Sequence, residues 1–68
     1  MKNIGKIIKA RRKMLGLRQD QLADIAGVGI NTLTKIERGE GNPSIETLKK
    51  VLDSLGLELS VIIKTMYP

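Results

Sequence analysis

At 68 residues the chain makes one domain, near the size at which a single hydrophobic core becomes marginal, so added burial from a partner chain is expected to help it. It has neither Cys nor His, which excludes a disulfide framework, the usual zinc ligands and Ser-His or Cys-His catalysis. The net charge is +5, with a pI near 9.9 and six of the twelve Lys and Arg residues in the first thirteen positions, a balance that points to a polyanionic partner such as nucleic acid. No apolar run approaches the roughly 20 residues that span a bilayer, and the N-terminus lacks the apolar region of a signal peptide, so no membrane partner and a cytoplasmic location are expected.

The first predicted helix runs from about Ile4 to Leu15 with Asn3 as N-cap, Ile4, Ile8 and Leu15 on one face, Ile7 widening that face, and Arg12 set among them. An Arg at an inward position needs a buried acceptor, and Glu37 is the best-placed carboxylate. The run Lys9-Ala10-Arg11-Arg12-Lys13 otherwise points several ways at helical spacing and reads as a solvated face. A second helix is predicted over Gln19–Ala26 and a third over about Ile30 to Arg38, separated by Gly27-Val28-Gly29. Leu22, Ala23 and Ala26 make one apolar face, Val28 plugs the turn, and Leu33 and Ile36 face inward from the third helix. Small Ala23 permits a close crossing, and Gly27 suits the positive φ of a sharp turn. This is the pattern of a helix-turn-helix, whose second member projects and can enter the major groove of DNA.

After a loop over 39–43, Ser44 is a good N-cap for a fourth helix, in which Ile45, Leu48, Val51, Leu52 and Leu55 recur at helical spacing until Gly56. The last twelve residues then alternate, with Leu57, Leu59, Val61 and Ile63 on one side, and read as one strand. A lone strand needs an edge to pair with, and the same strand of a second copy is the obvious one; the other course is a tail packed irregularly on the first and fourth helices. The expected architecture is mainly α: a four-helix, helix-turn-helix DNA-binding domain over 1–56 plus a short C-terminal β-strand over 57–68, paired in a dimer.

On the third helix Ile30, Asn31, Thr34 and Lys35 share the outward side and are the candidate base-facing residues. Asn pairs with the N6 and N7 edge of adenine, Lys donates to guanine, and Ile covers a thymine methyl group. These polar residues also fit a solvated face, but an apolar Ile30 at an exposed helix start has no core to enter. Gln19 begins the second helix, where its amide either caps the free backbone donors or joins them in holding a phosphate. Arg18, Arg38 and Asn42 flank this surface as candidate phosphate contacts. Asp20 and Asp24, one turn apart, are better explained by the helix dipole than as a catalytic pair. Gly27-Val28-Gly29 follows a helix and not a strand, so it is no nucleotide cradle. Tyr67 is the one aromatic residue, which leaves little for base stacking and favours duplex DNA over RNA. No nucleophile–base pair, metal site or cofactor loop is visible, so no enzyme and no cofactor are expected.

From Ile4 to Leu57 the segments IGKIIKARRKMLGL, QxxLA, AGV, TLxxIERG and NPSxETLxKVLxxLGL resemble the Xre/Cro/phage-repressor type of helix-turn-helix domain. The resemblance implies phosphate contacts for Gln19 and Asn42, base contacts for Ile30, Asn31 and Lys35, and an internal ion pair of Arg12 with Glu37. The expected function is that of a homodimeric autorepressor that occupies two half-sites of a duplex operator, an inverted repeat. Two positions depart from the pattern: Arg18 and Gly29 stand where Ser or Thr usually caps the second and third helices. The ending LGLELSVIIK resembles the C-terminal strand of HipB-like antitoxins, which implies a strand-paired dimer and a HipA-like toxin kinase as an alternative partner.

Overall fold

The computed structural model describes residues 2–60 and contains four helices, α1 (Lys2–Met14), α2 (Gln19–Ala26), α3 (Ile30–Arg38) and α4 (Ile45–Ser54). α1 packs on α3, and α2 packs on both α3 and α4. The shared core holds Ile8 of α1, Leu22 and Ala23 of α2, Leu33 and Ile36 of α3, and Leu48, Val51, Leu52 and Leu55 at α4 and its end. Ile4, Leu17, Ala26, Val28 and Leu57 close over it from the rim.

Every helix ends the same way. A backbone N–H two or three residues past each helical stretch reaches back five residues along the chain: Leu17 to Arg12 O at 3.0 Å, Val28 to Ala23 O at 3.0 Å, Glu40 to Lys35 O at 2.9 Å and Leu57 to Leu52 O at 2.8 Å. This double-bonded cap needs a left-handed residue just before that N–H. Gly27, with φ 71°, fills that place where the chain must turn between α2 and α3. In three of the four caps the next residue (Leu17, Val28 or Leu57) is apolar and packs on the core, so each turn is anchored as well as closed.

Helix starts vary more. Ser44 caps α4 as expected, its hydroxyl accepting from the Thr47 N–H at 3.1 Å. Arg18 and Gly29 supply no side-chain cap to α2 and α3. At α2 the Gln21 side chain compensates from within the helix, accepting the Arg18 N–H at 2.9 Å.

Several expectations are corrected. α1 begins at Lys2, which places Asn3 inside the helix and not at its cap. α1 also stops at Met14, so Leu15 falls into the cap and is exposed, and Leu17 takes its place against the core. Ile7 and Ile45 are exposed as well; Ile45 shares the spacing of Leu48 and Leu52 but is the first residue of α4. Residues 57–60 form no strand, because the Leu57 N–H closes the cap of α4 and its side chain packs on the core. They follow the other course, with Leu57 and Leu59 lining a recess shared with Ile4 and Ile7 of α1 and Leu52 of α4. Val61 and Ile63 lie outside the described residues.

Candidate nucleic-acid interface

α3 is buried on one side only. Leu33, Ile36 and Glu37 face inward, while Ile30, Asn31, Lys35 and Arg38 are exposed, Ile30 by 46%. An aliphatic side chain so open, at the first turn of a polar helix face, contributes nothing to the core. Thr34, expected beside them, is half-buried, with its hydroxyl 2.9 Å from Ile30 O and 3.2 Å from Gln19 Oε1.

Beneath this face lies the ion pair expected from the inward position of Arg12. Arg12 Nε donates to Glu37 Oε2 at 2.7 Å and its second terminal nitrogen to Oε1 at 2.9 Å, a two-pronged pairing with both residues buried. The remaining Arg12 nitrogen donates to Leu17 O at 2.8 Å, which ties the pair to the turn after α1. Gln19 completes the chain, its Nε2 donating to Glu37 Oε1 at 3.1 Å. No buried side-chain polar atom among the described residues lacks a partner. Burial pushes the Glu37 carboxyl up, but hydrogen bonds from Arg12 and Gln19 and the charges of Arg12 and Lys9 outweigh it and hold the group below its ordinary range. The hydrogen bond to Glu37 raises Arg12 in turn, against burial.

Gln19 does not cap its own helix: its amide links α2 to Glu37 and Thr34 of α3. The backbone donors at the start of α2 stay beside it. Arg18 is exposed and pairs with Asp20, Nε to Oδ1 at 3.0 Å, and this pairing lowers the Asp20 carboxyl. Lys35 and Asn42 line one recess of about 220 Å³ between α3 and the loop that follows, which brings the proposed base and phosphate contacts onto one surface.

Three residues were missed in the sequence. Gly5 lies against the carbonyls of Ile36 and Glu37 at the end of α3. Arg11, assigned to a solvated face, donates from Nε to Leu55 O at 3.0 Å and secures the end of α4. Gln21 acts as the helix cap already described. Only Gln21 left a local signal, three residues after the N-cap position. Among the described residues no helix is long and apolar enough to cross a membrane, and no three His, Cys, Asp or Glu residues cluster as metal ligands.

A short helix, a glycine turn and a second helix with an open polar face define a helix-turn-helix domain. The family model described as helix-turn-helix matches residues 8–62, and the chain belongs to that family, of the Xre/Cro type. It is 48% identical over 58 residues to the transcriptional regulator SlrR of Bacillus subtilis and 43% identical over 60 residues to the immunity repressor of Bacillus phage phi105. These matches take in 84% and 88% of this chain but 38% and 42% of the relatives, so the chain spans less than half the length of either. Among solved structures it resembles the biofilm regulator SinR in complex with DNA, with 43% identity, a TM-score of 0.74, and coverage of 81% of this chain and 89% of that one.

Proposed function

We propose that the chain is a sequence-specific transcriptional regulator that binds duplex DNA as a homodimer and represses by occupying an operator of two inverted half-sites. The observation that carries this reading is the open face of α3, where exposed Ile30, Asn31 and Lys35 stand clear of a core that holds Leu33 and Ile36. Ile30, Asn31 and Lys35 meet base edges in the major groove. Thr34 reaches no base with its hydroxyl, which is bonded within the protein, and lines the groove beside them. Phosphates are held by Arg18, Arg38, Asn42 and the free backbone donors at Gln19. Arg12 and Glu37 act only by fixing α3 against α1. SlrR and the phage repressor carry names of the same class, and SinR was solved with DNA.

The dimer rests on an uncovered apolar recess of about 240 Å³, lined by Ile4, Ile7, Leu52, Leu57 and Leu59. Ile7 is 54% exposed there. A second copy docked on this face covers it and enlarges a core that is small for an independent domain. No observation favours the antitoxin reading, since the stretch LGLELSVIIK that suggested it shows no strand over 57–60 and continues outside the described residues.

Selection of binding sites from random duplex DNA near physiological salt tests the reading. An enriched inverted repeat with half-sites about 10 base pairs apart is expected. A retained pool with no common sequence overturns it.

A further inference from the structure

α1 carries six basic residues and no acidic one. α4, by contrast, sets Glu46 four residues before Lys50 and Lys49 four before Asp53, the mixed spacing that supports a surface helix. Two of the α1 cations have internal tasks, Arg12 on Glu37 and Arg11 on Leu55 O. Lys6 and Lys13 have none, and Lys9 acts on Glu37 through its charge alone. The three lysines stand at i, i+3 and i+7, share one face, are exposed, and make no ion pair among the described residues. Like charges at this spacing weaken a helix. A row that opposes the stability of its own helix is the kind of local conflict expected where a surface serves a partner.

The position of the row identifies that partner. Gly5 is seated on the Ile36 and Glu37 carbonyls, so Lys6 follows directly from the contact with the end of α3. Lys9 lies near enough to Glu37 to act on its charge, and Glu37 binds Gln19 at the start of α2. The row therefore runs along the flank of the surface that carries α3 and the α2 N-terminus. From Lys6 to Lys13 it extends about 10.5 Å at 1.5 Å per residue. One strand of B-DNA offers a phosphate about every 3.4 Å along its axis, so three ammonium groups on this length face several phosphates of one strand.

We infer that Lys6, Lys9 and Lys13 form a sequence-independent docking surface for the phosphate backbone of duplex DNA beside the segment read by α3. The inference rests on the DNA-binding reading above and extends the contact surface beyond the helix-turn-helix.

The test compares the full chain with the triple variant Lys6→Gln/Lys9→Gln/Lys13→Gln. Both are titrated between 50 and 200 mM salt on two duplexes with the same selected site, one trimmed to the site and one extended by about ten base pairs on each side, roughly one helical turn. The slope of log K against log salt is expected to fall by about 0.9 for each lysine lost, about 2.7 per bound chain. The advantage of the longer duplex is expected to shrink, while preference among site sequences stays. The charge-preserving variant Lys6→Arg/Lys9→Arg/Lys13→Arg keeps the wild-type slope, and equal helical circular dichroism shows that all three proteins are folded. An unchanged slope in the Gln variant, with site preference intact in the wild type, overturns this surface alone. Absence of wild-type binding to any duplex at 50 mM salt overturns the DNA-binding reading and this surface with it.

Discussion

The backbone of Gly5 in α1 rests on the carbonyl oxygen of Ile36 in α3, so closely that a Cβ at position 5 would collide with that oxygen and lie 2.8 Å from the carbonyl oxygen of Glu37. Both obstacles are backbone atoms, which cannot rotate aside. Gly5→Ala is expected to destabilise the chain by a net of about 1 to 2 kcal/mol, because collision with two backbone oxygens puts overpacking in the upper part of its range of about 1 to 3 kcal/mol and alanine returns at most about 1 kcal/mol of helix propensity. Urea unfolding measures the difference. A variant as stable as the wild type would show that α1 can shift away from α3 freely.

Glu37→Ala leaves the Arg12 guanidinium buried without its carboxylate, and a loss of about 3 kcal/mol or more is expected. The double variant Arg12→Met/Glu37→Met removes both charges and is expected to lie closer to the wild type than Glu37→Ala does, even though Leu17 O and the Gln19 amide lose partners. Equilibrium unfolding of the single and double variants gives the comparison. A double variant worse than the sum of its singles contradicts the buried-charge account.

Acid should weaken the fold in a defined window. The folded-state Glu37 carboxyl lies below its ordinary value, so its contribution is complete above the unfolded glutamate range, near pH 4.3, and is lost as pH falls through the lower folded value. Asp20, lowered by Arg18, adds a dependence of the same sign in its own range. Stability measured from pH 6 to pH 2.5 is expected to decline more steeply in the wild type than in Glu37→Gln. Parallel curves would remove Glu37 from the acid response.

On DNA, Asn31→Ala should relax preference at one base position, at about 1 to 3 kcal/mol of lost discrimination, whereas Arg38→Ala should weaken all sequences alike and lower the salt slope by about 0.9. Gln19→Ala is expected to do more than weaken a phosphate site. Its amide joins Glu37 to Thr34, so about 1 kcal/mol of folding stability should go with the affinity. Binding titrations on matched and mismatched duplexes, with thermal melts of each variant, separate these effects. Uniform losses for Asn31→Ala would remove it from base reading.

Truncation tests the dimer only if it spares α4. The Leu57 N–H closes that helix, so the chain should be cut after Ser60 and not before Leu57. Sedimentation is expected to show a dimer for the full chain and a monomer without residues 61–68. A truncated chain that stays dimeric places the interface elsewhere.

Much of the candidate site was legible because it depends on period and chemistry alone. The spacing of Leu22, Ala23, Leu33 and Ile36 located α2 and α3, and the inward place of Arg12 pointed to Glu37, since a buried cation requires a carboxylate wherever the chain supplies one. Helix ends were less legible. Leu15 and Ile45 fit the apolar period yet lie at termini, where the cap and not the period decides which way a side chain points.

The sequence by itself determined four amphipathic helices, their glycine-closed ends and the polar outer face of α3, because these follow from residue spacing and local backbone preference. Only the tertiary structure decided that Gly5 meets α3, that Arg11 holds the end of α4, that Gln19 turns inward to Glu37 and that Leu57 belongs to a helix cap. Each of these joins residues far apart in the chain or chooses between two partners for one polar group. Such choices are made by the crossing of the helices, which no local pattern specifies.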